Sequence, residues 1–261
     1  MHGIHLTAGL IVVVVMTANM SCRVPADRSR GTWTRVPAVA AHPVRYLSAP
    51  RVDRPTYSYW PGGPDVAVYV HGGGWVEGTR YDLPGWTVAF EDAGWTVASV
   101  DYSLADRAYP RSVSEVMEAV ERVRTELNAR RLVLAGYSAG SFLALEAVER
   151  GTEVDGLVLA SVPFTPGRDA AAMPEDMAEK TRDTIERAFG SDVPSAECQA
   201  GHKPMYVIYG RQDVITSWTI NEESLAQCGR TGPTFVDLAE GGHDPSACVN
   251  MEALRDFLTG L

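Results

Sequence analysis

The sequence contains no C-x-x-C pair and no H-E-x-x-H, so neither a thiolate zinc cage nor a helix-borne zinc site is expected, and no metal is assigned. No G-x-G-x-x-G follows a first strand, which excludes the usual dinucleotide-binding unit. There is no internal repeat and no low-complexity tract. Basic residues are the minority: 23 Lys and Arg stand against 33 Asp and Glu, a net charge of −10. That balance argues against nucleic acid or anionic lipid headgroups as the main partner, and serves solubility. The stretch His2–Met20 has no charged residue, but it falls short of the roughly 20 apolar residues that cross a bilayer.

What that stretch does have is a core of Leu10–Met16, followed by small residues and Cys22. A short apolar run at the extreme N-terminus reads as the h-region of a signal peptide over residues 1–21. The cysteine after it is similar to the first residue of a bacterial lipoprotein, which would anchor the mature chain to a membrane through a lipid on Cys22. An exported chain is therefore expected, secreted, periplasmic or held at the envelope. Export permits disulfides. The four cysteines are Cys22, Cys198, Cys228 and Cys248, and Cys228 with Cys248 is a candidate pair near the C-terminal helices. The sequence leaves that connectivity open, and the oligomeric state with it.

Residues 22–40 read as a polar tether, and 41–261 as one domain, a length that α/β folds reach as a single unit. Two β-rich pieces, Val44–Ser48 and Thr56–Trp60, read as an antiparallel start. From Val66 short apolar runs alternate with helical patterns: strands are expected at Val66–Val70, Thr96–Asp101, Leu132–Ala135, Leu157–Ser161, Met205–Tyr209 and Phe235–Leu238. Continuous apolar strands separated by helices mean a mostly parallel sheet covered on both faces. Ser112 and Glu115 have capping-box spacing, and Val113, Val116, Val120, Val123 and Leu127 make one apolar helix face. Ala139–Arg150 and Pro245–Leu258 are further expected helices. The rhythm breaks over about 163–203, where a small cap insertion with a helix at Glu175–Phe189 is expected.

Gly136-Tyr137-Ser138-Ala139-Gly140 is a G-x-S-x-G between a strand and a helix. That context makes it a nucleophile elbow, with Ser138 exposed on a strained turn and a helix N-terminus behind it. His71-Gly72-Gly73-Gly74-Trp75 follows the Val66–Val70 strand, and glycines there let the backbone offer N–H groups to a ligand. Of the histidines after Ser138, His243 lies directly after the last strand, whereas His202 precedes a strand. Asp213 lies in the turn after the preceding strand. Asp244 is poorly placed to orient its neighbour His243, and Asp237 sits inside a strand.

With both motifs in view the chain resembles the α/β-hydrolase superfamily, and within it the HGGG-type esterases and lipases related to hormone-sensitive lipase. Val100-Asp101-Tyr102-Ser103-Leu104 resembles that family's D-Y-x-L segment. Ala105-Asp106-Arg107 departs from the Ala-Pro-Glu that usually follows. The resemblance covers about residues 57–261. It implies an α/β-hydrolase fold and a triad of Ser138, Asp213 and His243. It further implies an oxyanion hole from the amides of Gly73, Gly74 and Ala139, and a bracing role for His71. No cofactor is implied, and the implied partner is a small-molecule ester. Trp75, Tyr137, Phe164 and Trp218 are candidate substrate-binding residues, with Trp86 a further aromatic. A small cap favours short acyl chains. An amidase on the same triad and a non-catalytic binding protein of the same fold are the alternative readings.

Overall fold

A computed structural model describes residues 33–50, 52–53, 56–104, 107–190, 193, 203–227 and 233–261. The signal peptide, Cys22, Cys198, Cys228, His202 and the Ala105-Asp106 pair lie outside the described residues. The strands are β1 (Thr34–Arg35), β2 (Val52–Asp53), β3 (Tyr57–Trp60), β4 (Val66–Val70), β5 (Thr96–Val100), β6 (Leu132–Tyr137), β7 (Gly156–Ala160), β8 (Met205–Gly210) and β9 (Thr234–Ala239). The helices are α1 (Val88–Asp92), α2 (Arg111–Glu126), α3 (Ala139–Glu149), α4 (Pro166–Ala172), α5 (Glu175–Phe189), α6 (Trp218–Gln227) and α7 (Met251–Gly260).

The strands form one sheet in the order β1-β9-β8-β7-β6-β4-β5-β3-β2. β4 to β9 are mutually parallel, and β3 and β2 add the antiparallel edge. Because side chains alternate across a strand, Val66, Val68 and Val70 join the cluster under α2 and α3, while Ala67 and Tyr69 join the one under α1 and α7. Both faces are therefore buried, which is why these strands are apolar throughout. Helix α3 is buried from Ala139 to Val148, so it too is apolar all round rather than amphipathic.

Four expectations need correction. The tether ends before residue 40: Trp33 and Val36 are buried, and Thr34–Arg35 pairs in parallel with β9. Val44–Ser48 is not a strand. The Ser112–Glu115 box does not cap α2: Pro110 is the cap, and Ser112 lies inside the helix. Glu115 instead accepts from the Ser103 backbone N–H at 2.6 Å and its hydroxyl at 2.7 Å. The last helix begins at Met251 rather than Pro245, with Asn250 accepting from the Ala253 N–H as its cap and a short 3-10 turn at Ser246–Cys248 before it. Cys248 is disulfide-bonded. Each of its possible partners lies outside the described residues, so the Cys228 pairing stays an expectation.

Candidate active site

Ser138 stands between β6 and α3 with φ 52° and ψ −122°, a conformation that L residues rarely adopt. Its N–H donates to the Ala160 carbonyl at 2.9 Å and its carbonyl accepts from Ser141 N–H, so both sides of the strained turn are held. The flanking glycines are steric requirements. A Cβ on Gly136 would lie 2.5 Å from the Gly140 carbonyl oxygen, and one on Gly140 would lie 2.2 Å from that of Val70. The first turn of α3 thus presses directly on the end of β4.

The loops after β8 and β9 are stitched together. Gln212 N–H donates to the Gly241 carbonyl at 2.8 Å, and the Gln212 side-chain oxygen accepts from Gly241 N–H. A Cβ on Gly210 would lie 1.9 Å from the Gly242 carbonyl oxygen. This contact brings Asp213 beside His243. His243 Nδ1 lies 2.9 Å from Asp213 Oδ2, and His243 Nε2 lies 2.9 Å from Ser138 Oγ. The Asp213 side chain is fully buried, whereas that of His243 is 21% exposed.

Burial pushes the Asp213 carboxyl up, but hydrogen bonds from His243 and Thr216 outweigh it and leave the group below its ordinary value. Thr216 Oγ1 donates to Oδ2 at 2.6 Å, and the N–H groups of Ile215 and Thr216 donate to Oδ1. An ionised Asp213 can only accept, so Nδ1 carries the histidine proton and Nε2 is left to accept from the Ser138 hydroxyl. Neither rival acid competes. Asp244 accepts from the N–H and hydroxyl of Ser246. Asp237 is buried within β9, bonded to Tyr206 and Asn250.

The glycine loop folds back on itself. Gly73 and Gly74 have φ of 110° and 59°, and the Gly73 carbonyl accepts from Val76 and Glu77 N–H. Among the described residues, no acceptor takes the amides of Gly73, Gly74 or Ala139. Ala139 opens α3, so its N–H is one that a helix leaves unpaired. Gly72 abuts the nucleophile: its Cβ would lie 3.4 Å from that of Ser138. His71 braces this loop as expected, its Nδ1 lying 2.7 Å from the Gly72 carbonyl oxygen.

The aromatic expectations divide. Tyr137 borders an open cleft of about 600 Å³ together with Gly72, Gly73, Tyr46, Tyr81 and Asp244. Its ring centroid is 5.2 Å from that of His243. Trp75 and Phe164 are buried core residues, and so is Trp86. Trp75 packs edge-on against Phe142 and Phe189, so its area is spent under the site rather than in the cleft. Trp218 opens α6 and packs on Trp33 and Tyr209. Helices α4 and α5 lie in the segment read as a cap insertion. Thr184 of α5 closes over Gly74, where a Cβ would lie 2.9 Å from its methyl, and Phe189 anchors the helix on Trp75.

Two neighbours of Asp213 and His243 escaped sequence reading. Thr216 stands three residues after Asp213, a spacing at which a hydroxyl can fold back on a carboxylate. Ser161, buried just past β7 with φ 50°, donates its hydroxyl to the His243 carbonyl at 2.8 Å, a contact across the fold with no local signal.

Comparison with known proteins places this geometry. The BD-FAE family model matches residues 61–162, the span that holds the glycine loop and the elbow. A curated relative, the FAD-linked oxidoreductase pytB of Aspergillus terreus, is 37% identical over 114 residues. That match takes in 40% of this chain, which spans only 14% of the relative's length. A solved structure named DphMB1 is 26% identical with a TM-score of 0.61, over 84% of this chain and 87% of that one. A truncated carbohydrate esterase from gut microbiota aligns with a TM-score of 0.61 at 15% identity, over 78% and 90% of the two chains. A bacterial heroin esterase aligns at 0.60 and 21%, over 83% and 82%. At such identities the last two speak for the fold alone.

Proposed function

We propose that this chain, with the α/β-hydrolase fold of its solved neighbours and a segment that matches the BD-FAE family model, is a serine carboxylic-ester hydrolase acting through an acyl-enzyme. The observation that carries the reading is the unbroken line of hydrogen bonds from Asp213 through His243 to Ser138, at 2.9 Å each, beside three amides without acceptors among the described residues. Ser138 Oγ attacks the ester carbonyl while its proton passes to His243 Nε2. The carbonyl electrons move onto oxygen, which the Gly73, Gly74 and Ala139 N–H groups receive. Collapse expels the alcohol, protonated by His243. Water then gives its proton to His243, attacks the acyl-enzyme and frees the acid and Ser138. Asp213 holds the tautomer and offsets the imidazolium charge.

Short acyl chains are the proposed substrates. The small cap of α4 and α5 and the open cleft beside Gly72 and Tyr137 support this. Tyr137 is the proposed substrate contact. Export is proposed as well, with Cys22 as lipid acceptor. A disulfide at Cys248 accords with an oxidising compartment.

The test is hydrolysis of p-nitrophenyl esters of two, four, eight and sixteen carbons by the chain from Arg23 onward, beside Ser138→Ala. Activity should decline with chain length and vanish in the variant. A wild-type chain silent on every ester overturns the reading.

A further inference from the structure

Oxyanion donors work only if they are aimed before the charge forms. In a trans peptide the carbonyl and the following N–H leave opposite edges of one plane, so fixing a carbonyl fixes the direction of the next N–H. Two carbonyls of the glycine loop are held in this way. The Gly73 carbonyl takes the N–H groups of Val76 and Glu77, which sets the direction of the Gly74 N–H. The Gly72 carbonyl is held by side chains instead. His71 Nδ1 lies 2.7 Å from it, and the Tyr102 hydroxyl is shared between it, at 3.3 Å, and the His71 carbonyl, at 3.0 Å. The opposite edge of that plane carries the Gly73 N–H, which no described residue accepts.

We infer that Tyr102 and His71 are positioning residues that aim the Gly73 amide at the oxyanion through the Gly72 carbonyl. The inference rests on the ester-hydrolase reading. Their rings stack with centroids 4.3 Å apart, and both are buried, so each holds the other in register. The clamp is tightly packed. Gly78, at φ 105°, lies so close that a Cβ there would be 2.5 Å from His71 Nδ1 and 2.6 Å from the Gly72 oxygen. Two protonation preferences keep both groups as donors. Burial raises the Tyr102 phenol well above its ordinary value, so it keeps its proton. Burial lowers His71, which leaves a neutral ring whose single proton sits on Nδ1, facing the carbonyl. Tyr102 thus acts on the reaction from beneath the loop, without touching substrate.

The experiment compares wild type, Tyr102→Phe and His71→Phe, which keep the stacked rings and remove one donor each. Each should lower kcat about 10- to 100-fold with KM within about twofold, less than the roughly 100- to 1,000-fold loss of a whole donor. Affinity for a trifluoromethyl-ketone transition-state analogue should fall by the same factor, and affinity for the product alcohol should not. Melting temperatures identify any variant that fails to fold, and the second variant then carries the test. Unchanged kcat and analogue affinity in a folded Tyr102→Phe overturns the clamp even if the melting temperature falls. A wild type without esterase activity overturns the underlying reading instead, so the two failures are distinct.

Discussion

At the amino ends of the parallel strands Asp65 takes hydrogen bonds from Arg130 and Arg131, and Asp155 receives the Leu132 N–H. Positive φ occurs there at Gly94, Gly151 and Asn128, and a Cβ on either glycine would meet nothing within 4 Å. At the carboxyl ends Trp75, Arg107, Ser138 and Ser161 all have positive φ, whereas glycines where a Cβ would collide with backbone occur at both ends, Gly62 against the Trp95 carbonyl at one and Gly140 against that of Val70 at the other. One end consists of ordinary turns and satisfied charges. The other holds strained backbone and amides that no described residue accepts. Strain of this kind costs stability and persists only where its surroundings over-determine it. The difference teaches that the two ends should respond to substitution in different observables: activity at one, stability at the other.

The largest expected effect is at the carboxyl end. Asp213→Asn should lower kcat about 10⁴-fold by releasing the histidine tautomer, with the fold intact by circular dichroism. An activity loss below tenfold would move the acid elsewhere. Next comes Gly140→Ala, whose methyl meets backbone of Val70 and His71. It should cost both activity and several degrees of melting temperature, because the elbow and the glycine loop must part. At the amino end, Asp65→Asn should leave kcat unchanged and lower the melting temperature by ~2–5 °C at neutral pH. The arginines hold the Asp65 carboxyl well below its ordinary range, so its contribution is present at neutral pH and lost on acidification. The gap between wild type and variant should therefore close in acid. A kcat change in Asp65→Asn would break the division between the ends.

The smallest effect concerns Asp169 of α4, buried with one oxygen bonded to Asn221 and the other without a partner among the described residues. Burial pushes this carboxyl up to about 7, and the Asp213 charge adds to the rise. Burial does the same for Asp237, also to about 7. A raised carboxyl holds its proton in the native state while the unfolded chain has lost it. Stability therefore falls as pH rises from about 4 to about 7. Asp169→Asn should flatten part of that slope between pH 5 and 8, read from melting temperatures. An unchanged slope would assign it to Asp237 alone.

The strands from β4 onward were legible because burial on both faces leaves a continuous apolar run. The elbow and the glycine loop were legible because local geometry demands particular residues at fixed offsets. β1 was not, since Thr34–Arg35 is too short to carry a period. Ser112 and Glu115 had the right spacing for a cap, but Glu115 serves Ser103, a partner that only the tertiary fold supplies. Trp75 and Phe164 were misread because an aromatic beside a site and one beneath it have the same sequence neighbourhood. Ser161 and Tyr102 reach the site through backbone carbonyls, which leave no trace in side-chain patterns.

The collision that any side chain at Gly140 would make with the end of β4 also bounds how this protein can be re-engineered. The turn at Ser138 and the glycine loop touch backbone to backbone, which leaves almost no room for substitution there. If the proposed activity holds, variation in what the cleft accepts has to come from its rim, at positions such as Tyr46 and Tyr81, whose exposed side chains can be exchanged without moving the Ser138 turn.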